Sequence, residues 1–304
     1  MKKYRNINLT FGFTLGLFAM TMGYAYAGSW KNVSQVPAML PSASAAVIND
    51  QVYVLSGTVG HGMRTFFEVY DPVDDGWRPL SPIPADIYDF ALASSGNRLL
   101  VTGGRERETG KAVKNSWLYI SNSALWLEVD PLPVAESGHA MVTVGADTFI
   151  IGTYSGKLLR FDASKQSWDI IMDLPRPTKT ASVTTDGTSI FVSADDGQVW
   201  RYDVKEKQWT SLPPLPQAVS SGALLQINGK LHHVGGVDKA SENATEAHWV
   251  LNGSKWQAAT PLPQRRHNMA SAVVGDAAYI IGGASGSGFF SYFTGSDYLY
   301  KYED

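Results

Sequence analysis

Glu136 and His139 stand three positions apart, a carboxyl–imidazole pair able to pass protons near neutral pH. Such a pair suits a reaction in which one proton is given and another taken. Elsewhere in the chain stand cations of the kind that grip carboxylates: Arg64, Arg105, Lys179 and Arg266. His61, Asp89, His267 and Tyr292 complete the candidate ligand-binding set, with Phe289, Phe290 and Tyr292 as an apolar wall. Arginines beside aromatic rings suit a carboxylated sugar, since the planar guanidinium forks onto carboxylate and rings offer flat apolar faces. For each of these charges the alternative is a solvated loop position. The six histidines fall at no spacing typical of a zinc site, and His232-His233 on one strand point to opposite faces. Neither a Gly-x-Ser-x-Gly elbow nor a phosphate-cradling glycine loop occurs. The expectation is no metal and no cofactor.

These residues need a scaffold, and the chain carries one in its repeats. Six of the nine tryptophans, at positions 30, 77, 126, 168, 209 and 256, recur every 41–49 residues. Each precedes a proline-bearing turn: Leu40-Pro41, Ile83-Pro84, Leu132-Pro133, Leu174-Pro175, Leu215-Pro216 and Leu262-Pro263. A small, apolar stretch follows each turn, such as 42–48, 139–144 or 270–274. A second strand then ends in glycine or a polar turn, and a third is aromatic. Four short strands in a unit of about 45 residues, repeated six times, describe the blades of an all-β, six-bladed propeller. Crowding near the axis favours Ala, Ser and Gly in the inner strands, and the roomier periphery accepts Trp and Tyr.

The last unit lacks a tryptophan strand of its own, and the first tryptophan strand, 30–33, lacks a preceding blade. That strand is expected to complete the sixth blade, which removes the free edges of an open array. Loops joining outer to inner strands share one face with loops joining second to third strands. The latter are long at about 58–65, 105–114, 237–246 and 284–297 and short at 153–156 and 194–197. A cup, low on the side of blades three and four, is the expected site.

With 29 glycines, no cysteine and only 17% charged residues, the composition fits a turn-rich β-protein that no disulfide holds together. Residues 1–27 read as a cleaved signal peptide. Lys2, Lys3 and Arg5 form a basic head, an apolar run follows, and Ala25-Tyr26-Ala27 matches a peptidase site. Cleavage would leave residues 28–304 as one domain and move the net charge from −3 to −6. That balance gives no basic surface for nucleic acid. No later run is long enough to span a membrane. Bacterial periplasm or secretion is the expected address.

Gly103-Gly104, Gly235-Gly236 and Gly282-Gly283, with Tyr70-Asp71, Phe161-Asp162 and Tyr202-Asp203, make the chain resemble the kelch-repeat family over nearly all of residues 29–304. Within it, Gly57-Thr58-Val59-Gly60-His61-Gly62-Met63-Arg64-Thr65 resembles a loop of the periplasmic N-acetylneuraminate epimerases, which interconvert sialic acid anomers. The resemblance implies that Arg64 grips the sugar carboxylate. Thr58 stands where that loop carries a glutamate, so an acid or base must come from elsewhere: Glu106, Glu136 or Asp89. Copper-radical oxidases share the propeller, but their crosslinked cofactor needs a cysteine that this chain lacks. Two functions remain open. One is a sugar-binding propeller with mutarotase or epimerase activity. The other is a non-catalytic module whose partner is a protein or a glycan.

Overall fold

The computed structural model describes residues 28–58, 65–286 and 288–303; the expected signal segment, His61 and Arg64 lie outside the described residues, as do the side chains of Phe289 and Tyr292. The chain forms six four-stranded antiparallel sheets. From the inner strand outward, blade 1 comprises Ser44–Ile48, Gln51–Ser56, Phe66–Asp71 and Gly76–Pro79. Blade 2 comprises Ala91–Ser95, Arg98–Thr102, Ser116–Ile120 and Leu125–Val129, and blade 3 Ala140–Val144, Asp147–Ile151, Lys157–Asp162 and Ser167–Asp173. Blade 4 comprises Ala181–Thr185, Ser189–Ala194, Val199–Asp203 and Gln208–Leu212, and blade 5 Ala223–Ile227, Lys230–Val234, His248–Asn252 and Lys255–Ala258. Blade 6 takes Ala270–Val274, Ala277–Ile281 and Ser296–Glu303 from the C-terminal end and Ser29–Leu40 from the N-terminal end. Each inner strand touches the next, and the sixth touches the first, so the ring is closed.

The hydrophobic core is a set of seams between blades. One buried cluster joins Tyr53, Leu55 and Phe67 of blade 1 to Leu99, Val101 and Tyr119 of blade 2. Another joins Val52, Val54 and Tyr70 to Tyr279 and Ile281 of blade 6. A single blade therefore buries little alone, which is why the repeat must close on itself. The periodic tryptophans serve the periphery. In five blades the tryptophan packs on the buried Tyr or Phe opposite it, as Trp126 does on Tyr119 with ring centroids 4.9 Å apart. Four of the indoles also donate to a carbonyl of the preceding inter-blade linker: Trp30 to Thr260, Trp126 to Ser81, Trp168 to Asp130 and Trp256 to Pro213. The Asp after the buried aromatic folds the next turn, with Asp71 accepting from the Val73 N–H and Asp162 from the Ser164 N–H.

Closure by the N-terminal strand follows the expectation, over a longer span than 30–33. Trp30 pairs in register with Tyr302, and irregularities after Asn32 and Gln35 let the strand continue to Leu40. Trp30 is held by Tyr302 at 4.9 Å, His248 at 5.7 Å and its bond to Thr260. Trp30→Ala is therefore expected to cost about 2–3 kcal/mol, mostly by lost packing, since the Thr260 carbonyl keeps the His248 ring nitrogen at 2.9 Å. For a domain of this size that corresponds to a melting temperature lower by roughly 5–10 °C. A shift below about 2 °C in a calorimetric scan would show that closure does not rest on this residue.

Among the described residues no helix is long and apolar enough to cross a membrane. The helical element among them is one short 3-10 turn, Gly288–Phe293, above blade 6.

Candidate functional site

The residue two positions before each inner strand defines a ring at the mouth of the axis: Ser42, Asp89, Gly138, Lys179, Ser221 and Asn268, all lining one cavity of about 360 Å³. Directly below lies a second ring of Ala43, Phe90, His139, Thr180, Gly222 and Met269. Four of the mouth residues, Asp89, Gly138, Ser221 and Asn268, have φ between +52° and +62°. Gly, Asn, Asp and Ser are short enough for this left-handed turn, in which the chain swings into the inner strand. Neighbouring blades are stitched at this level, Gly138 N–H donating to the Asp89 carbonyl at 2.8 Å and Asn268 N–H to that of Ser221 at 2.9 Å. Deeper, the axis narrows to a waist of about 180 Å³ between the alanines that start five inner strands, then opens on the opposite face.

The walls are uneven, as the loop lengths predict. Short ribbons raise blade 2, where Ile87–Tyr88 pairs with Arg105–Glu106, and blade 5, where Val219–Ser220 pairs with Val237–Asp238. The 3-10 turn stands over blade 6 and contributes Gly288 and Ser291 to the cup. Over blades 3 and 4 the connections are only 152–156 and 195–198.

Asp89 and Lys179 bring opposite charges to the mouth ring. Enclosure by the cup raises the Asp89 carboxyl pKa, opposed by Arg105, whose Nε lies 3.6 Å from the carboxylate. Arg105 also donates to the Gly110 carbonyl at 3.0 Å, so it braces the blade 2 ribbon. Lys179 is exposed, and its ammonium makes no ion pair with the described residues. His139 reaches the floor of the cup; burial lowers its pKa to about 3, so the ring is neutral, with Nε2 2.8 Å from the Thr102 hydroxyl.

The structure does not bring Glu136 to the cup with His139. Glu136 is fully buried, and its carboxylate accepts the backbone N–H groups of Tyr154 at 3.2 Å and Ser155 at 3.3 Å. Burial raises its carboxyl pKa against those bonds. Its own carbonyl accepts from Gly104, so it wedges blade 2 against blade 3. Arg266 occupies the matching wedge between blades 5 and 6. It donates to the Gly282 carbonyl and to Gln264, and lies over the Tyr298 and Tyr300 rings. His267 is buried too, with Nε2 2.5 Å from the Gly286 carbonyl, anchoring the loop of blade 6. Tyr292 sits in the 3-10 turn. Asp89, Lys179 and His139 thus meet in one cavity, Arg105 braces it, and Glu136, Arg266 and His267 support the wall. Sequence reasoning missed Ser42, Ser221 and Asn268. Aligning the repeats on the first residue of each inner strand would have found them, since all share one offset.

No protein-family model matches the chain. Kelch-like protein 40b of Danio rerio is 26% identical over 48% of this chain and 26% of its own length. Human Kelch domain-containing protein 10 is 26% identical over 42% of this chain and 32% of its own. Mouse Kelch-like protein 35 is 24% identical over 76% of this chain and 33% of its own. The chain spans about a quarter to a third of these curated relatives. The solved structure of YjhT aligns with a TM-score of 0.75 at 18% identity, covering 90% of this chain and 100% of that one. The blade pattern makes the chain a six-bladed β-propeller, and the curated relatives it is similar to are kelch proteins.

Proposed function

We propose that this propeller is exported by its first 27 residues and binds an acidic sugar in the cup. The supporting observation is the mouth ring, which sets one cation, Lys179, and one carboxyl, Asp89, among the hydroxyl and amide groups of Ser42, Ser221 and Asn268. A cavity of about 360 Å³ matches a single pyranose better than a larger ligand. Lys179 faces the sugar carboxylate, joined by Arg64 if the loop 57–65 acts as its resemblance to the epimerases implies. Asp89, with its raised pKa, is the proton carrier for anomer exchange. The competing reading, recognition without catalysis, draws support from Glu136, whose carboxylate is committed to the turn beneath Tyr154.

Titration calorimetry with N-acetylneuraminate, glucuronate and galacturonate, and with neutral hexoses as controls, tests the site. Lys179→Ala is expected to weaken the acidic sugars about tenfold or more and leave any neutral sugar unchanged. Absence of saturable binding across the panel would sink the proposal. Asp89→Asn separates the two readings: under NMR exchange conditions it should slow anomer interconversion while acidic-sugar binding survives.

A further inference from the structure

The geometry points to a second sugar subsite on the low rim of the cup, with the ring of Tyr154 as its platform, so that the ligand is the acidic end of an oligosaccharide. This inference rests on the reading of the cup as a sugar site. Tyr154 is 68% exposed, at the tip of the short turn 152–156. An exposed aromatic on a loose loop would need no account, but this turn is fixed from beneath. The buried Glu136 carboxylate holds two consecutive N–H groups, those of Tyr154 and Ser155. The Gly156 N–H closes the turn onto the Gly152 carbonyl at 2.8 Å. The Thr153 hydroxyl lies 3.3 Å from the carbonyls of both Ser137 and Gly138, and Gly138 belongs to the mouth ring. Burying a carboxylate is costly unless its bonds are satisfied, and here they are satisfied by the turn that presents the ring.

Position decides the occupant. Ribbons or loops rise over blades 2, 5 and 6, so a chain whose end sits in the cup leaves over blades 3 and 4, where the connections are shortest. Thr153, beside Tyr154, reaches the carbonyl of the mouth residue Gly138, so the turn that carries Tyr154 borders that path. A preorganised ring loses little conformational freedom on stacking against the apolar face of a pyranose. Lys179, on the blade 4 side of the same opening, holds the carboxylate of the terminal unit.

The test compares a free acidic sugar with an oligosaccharide whose reducing end is that sugar, so that the anomeric hydroxyl stays free: N-acetylneuraminate with its α2,8-linked dimer, and galacturonate with trigalacturonate. The longer member of a bound pair is expected to bind about tenfold more tightly, Tyr154→Ala to abolish that gain without changing the monosaccharide affinity, and Tyr154→Trp to retain it. Equal affinities within the pair, or a gain that survives in Tyr154→Ala, would overturn the subsite and leave the cup intact. Failure of every probe to bind would overturn the cup reading and the subsite with it.

Discussion

Lowering the pH from 6.5 to 4.5 is expected to remove roughly 5 kcal/mol of folding stability, a large part of what a domain of this kind possesses. The loss comes from His139 and His233, which are 6% and 1% exposed and whose pKa values burial lowers to about 3. For His233 the neighbouring His248 adds to the effect. In the unfolded chain an imidazole takes up its proton near pH 6.5. Between these values the unfolded state binds more protons than the folded one. Stability therefore falls with pH by about 1.4 kcal/mol per unit for each histidine. Asp89 and Glu136 work the other way. Their folded pKa values are raised, so protonation as the pH drops toward the unfolded carboxylate range returns part of the loss. Denaturant midpoints measured in steps from pH 7.5 to 4.5 check the slope. His139→Asn and His233→Asn should each flatten it by about half, whatever they do at pH 7.5. A wild-type profile that stays level through this range would show that neither imidazole is held neutral by burial.

The architecture was legible because its determinants recur. A tryptophan, a Tyr- or Phe-Asp and a glycine pair at constant offsets each have one physical job per blade: to pack on an aromatic, to fold a turn, to join two blades. Six imperfect copies outweigh the blades that depart, such as blade 4, where Ala194 and Asp195 replace the glycines. Closure was legible from chain ends that lack complementary halves. The site was legible only as far as its loops. Glu136 and His139 sit on one approach to an inner strand, and pattern alone treats them as neighbours. Between them Gly138 takes a φ of +62°, and the chain reverses. The residue four before the strand becomes an inter-blade wedge, as do Leu40, Glu136 and Arg266, whose carbonyls accept the second glycine's N–H. The residue two before the strand meets the axis. A shift of two positions thus exchanges wall for cup, and no composition rule marks it.

Gly103→Ala is expected to destabilise the fold by about 3 kcal/mol or more and to disturb the cup at the same time. Gly103 holds a φ of +57°, where a β-carbon alone costs about 1 kcal/mol. The larger part is steric. A methyl group there would overlap the Glu136 carbonyl oxygen and stand 2.9 Å from the His139 ring. Relief requires Glu136 to retreat, which breaks the 2.8 Å bond from Gly104 and releases the carboxylate that holds Tyr154. The blade seam, the floor histidine and the rim tyrosine move together. Gly96→Ala provides the measure of the conformational part: its φ is +61°, but no atom stands within 4 Å of the added carbon. It should cost only about 1 kcal/mol and leave sugar binding untouched. Urea midpoints of the two variants, with calorimetric titration of each, make the comparison. A matching small loss in both would mean that the glycine pair serves only its turn. A large loss confined to Gly103→Ala, with weakened binding, would show that the joint between blades 2 and 3 also sets the geometry of the cup.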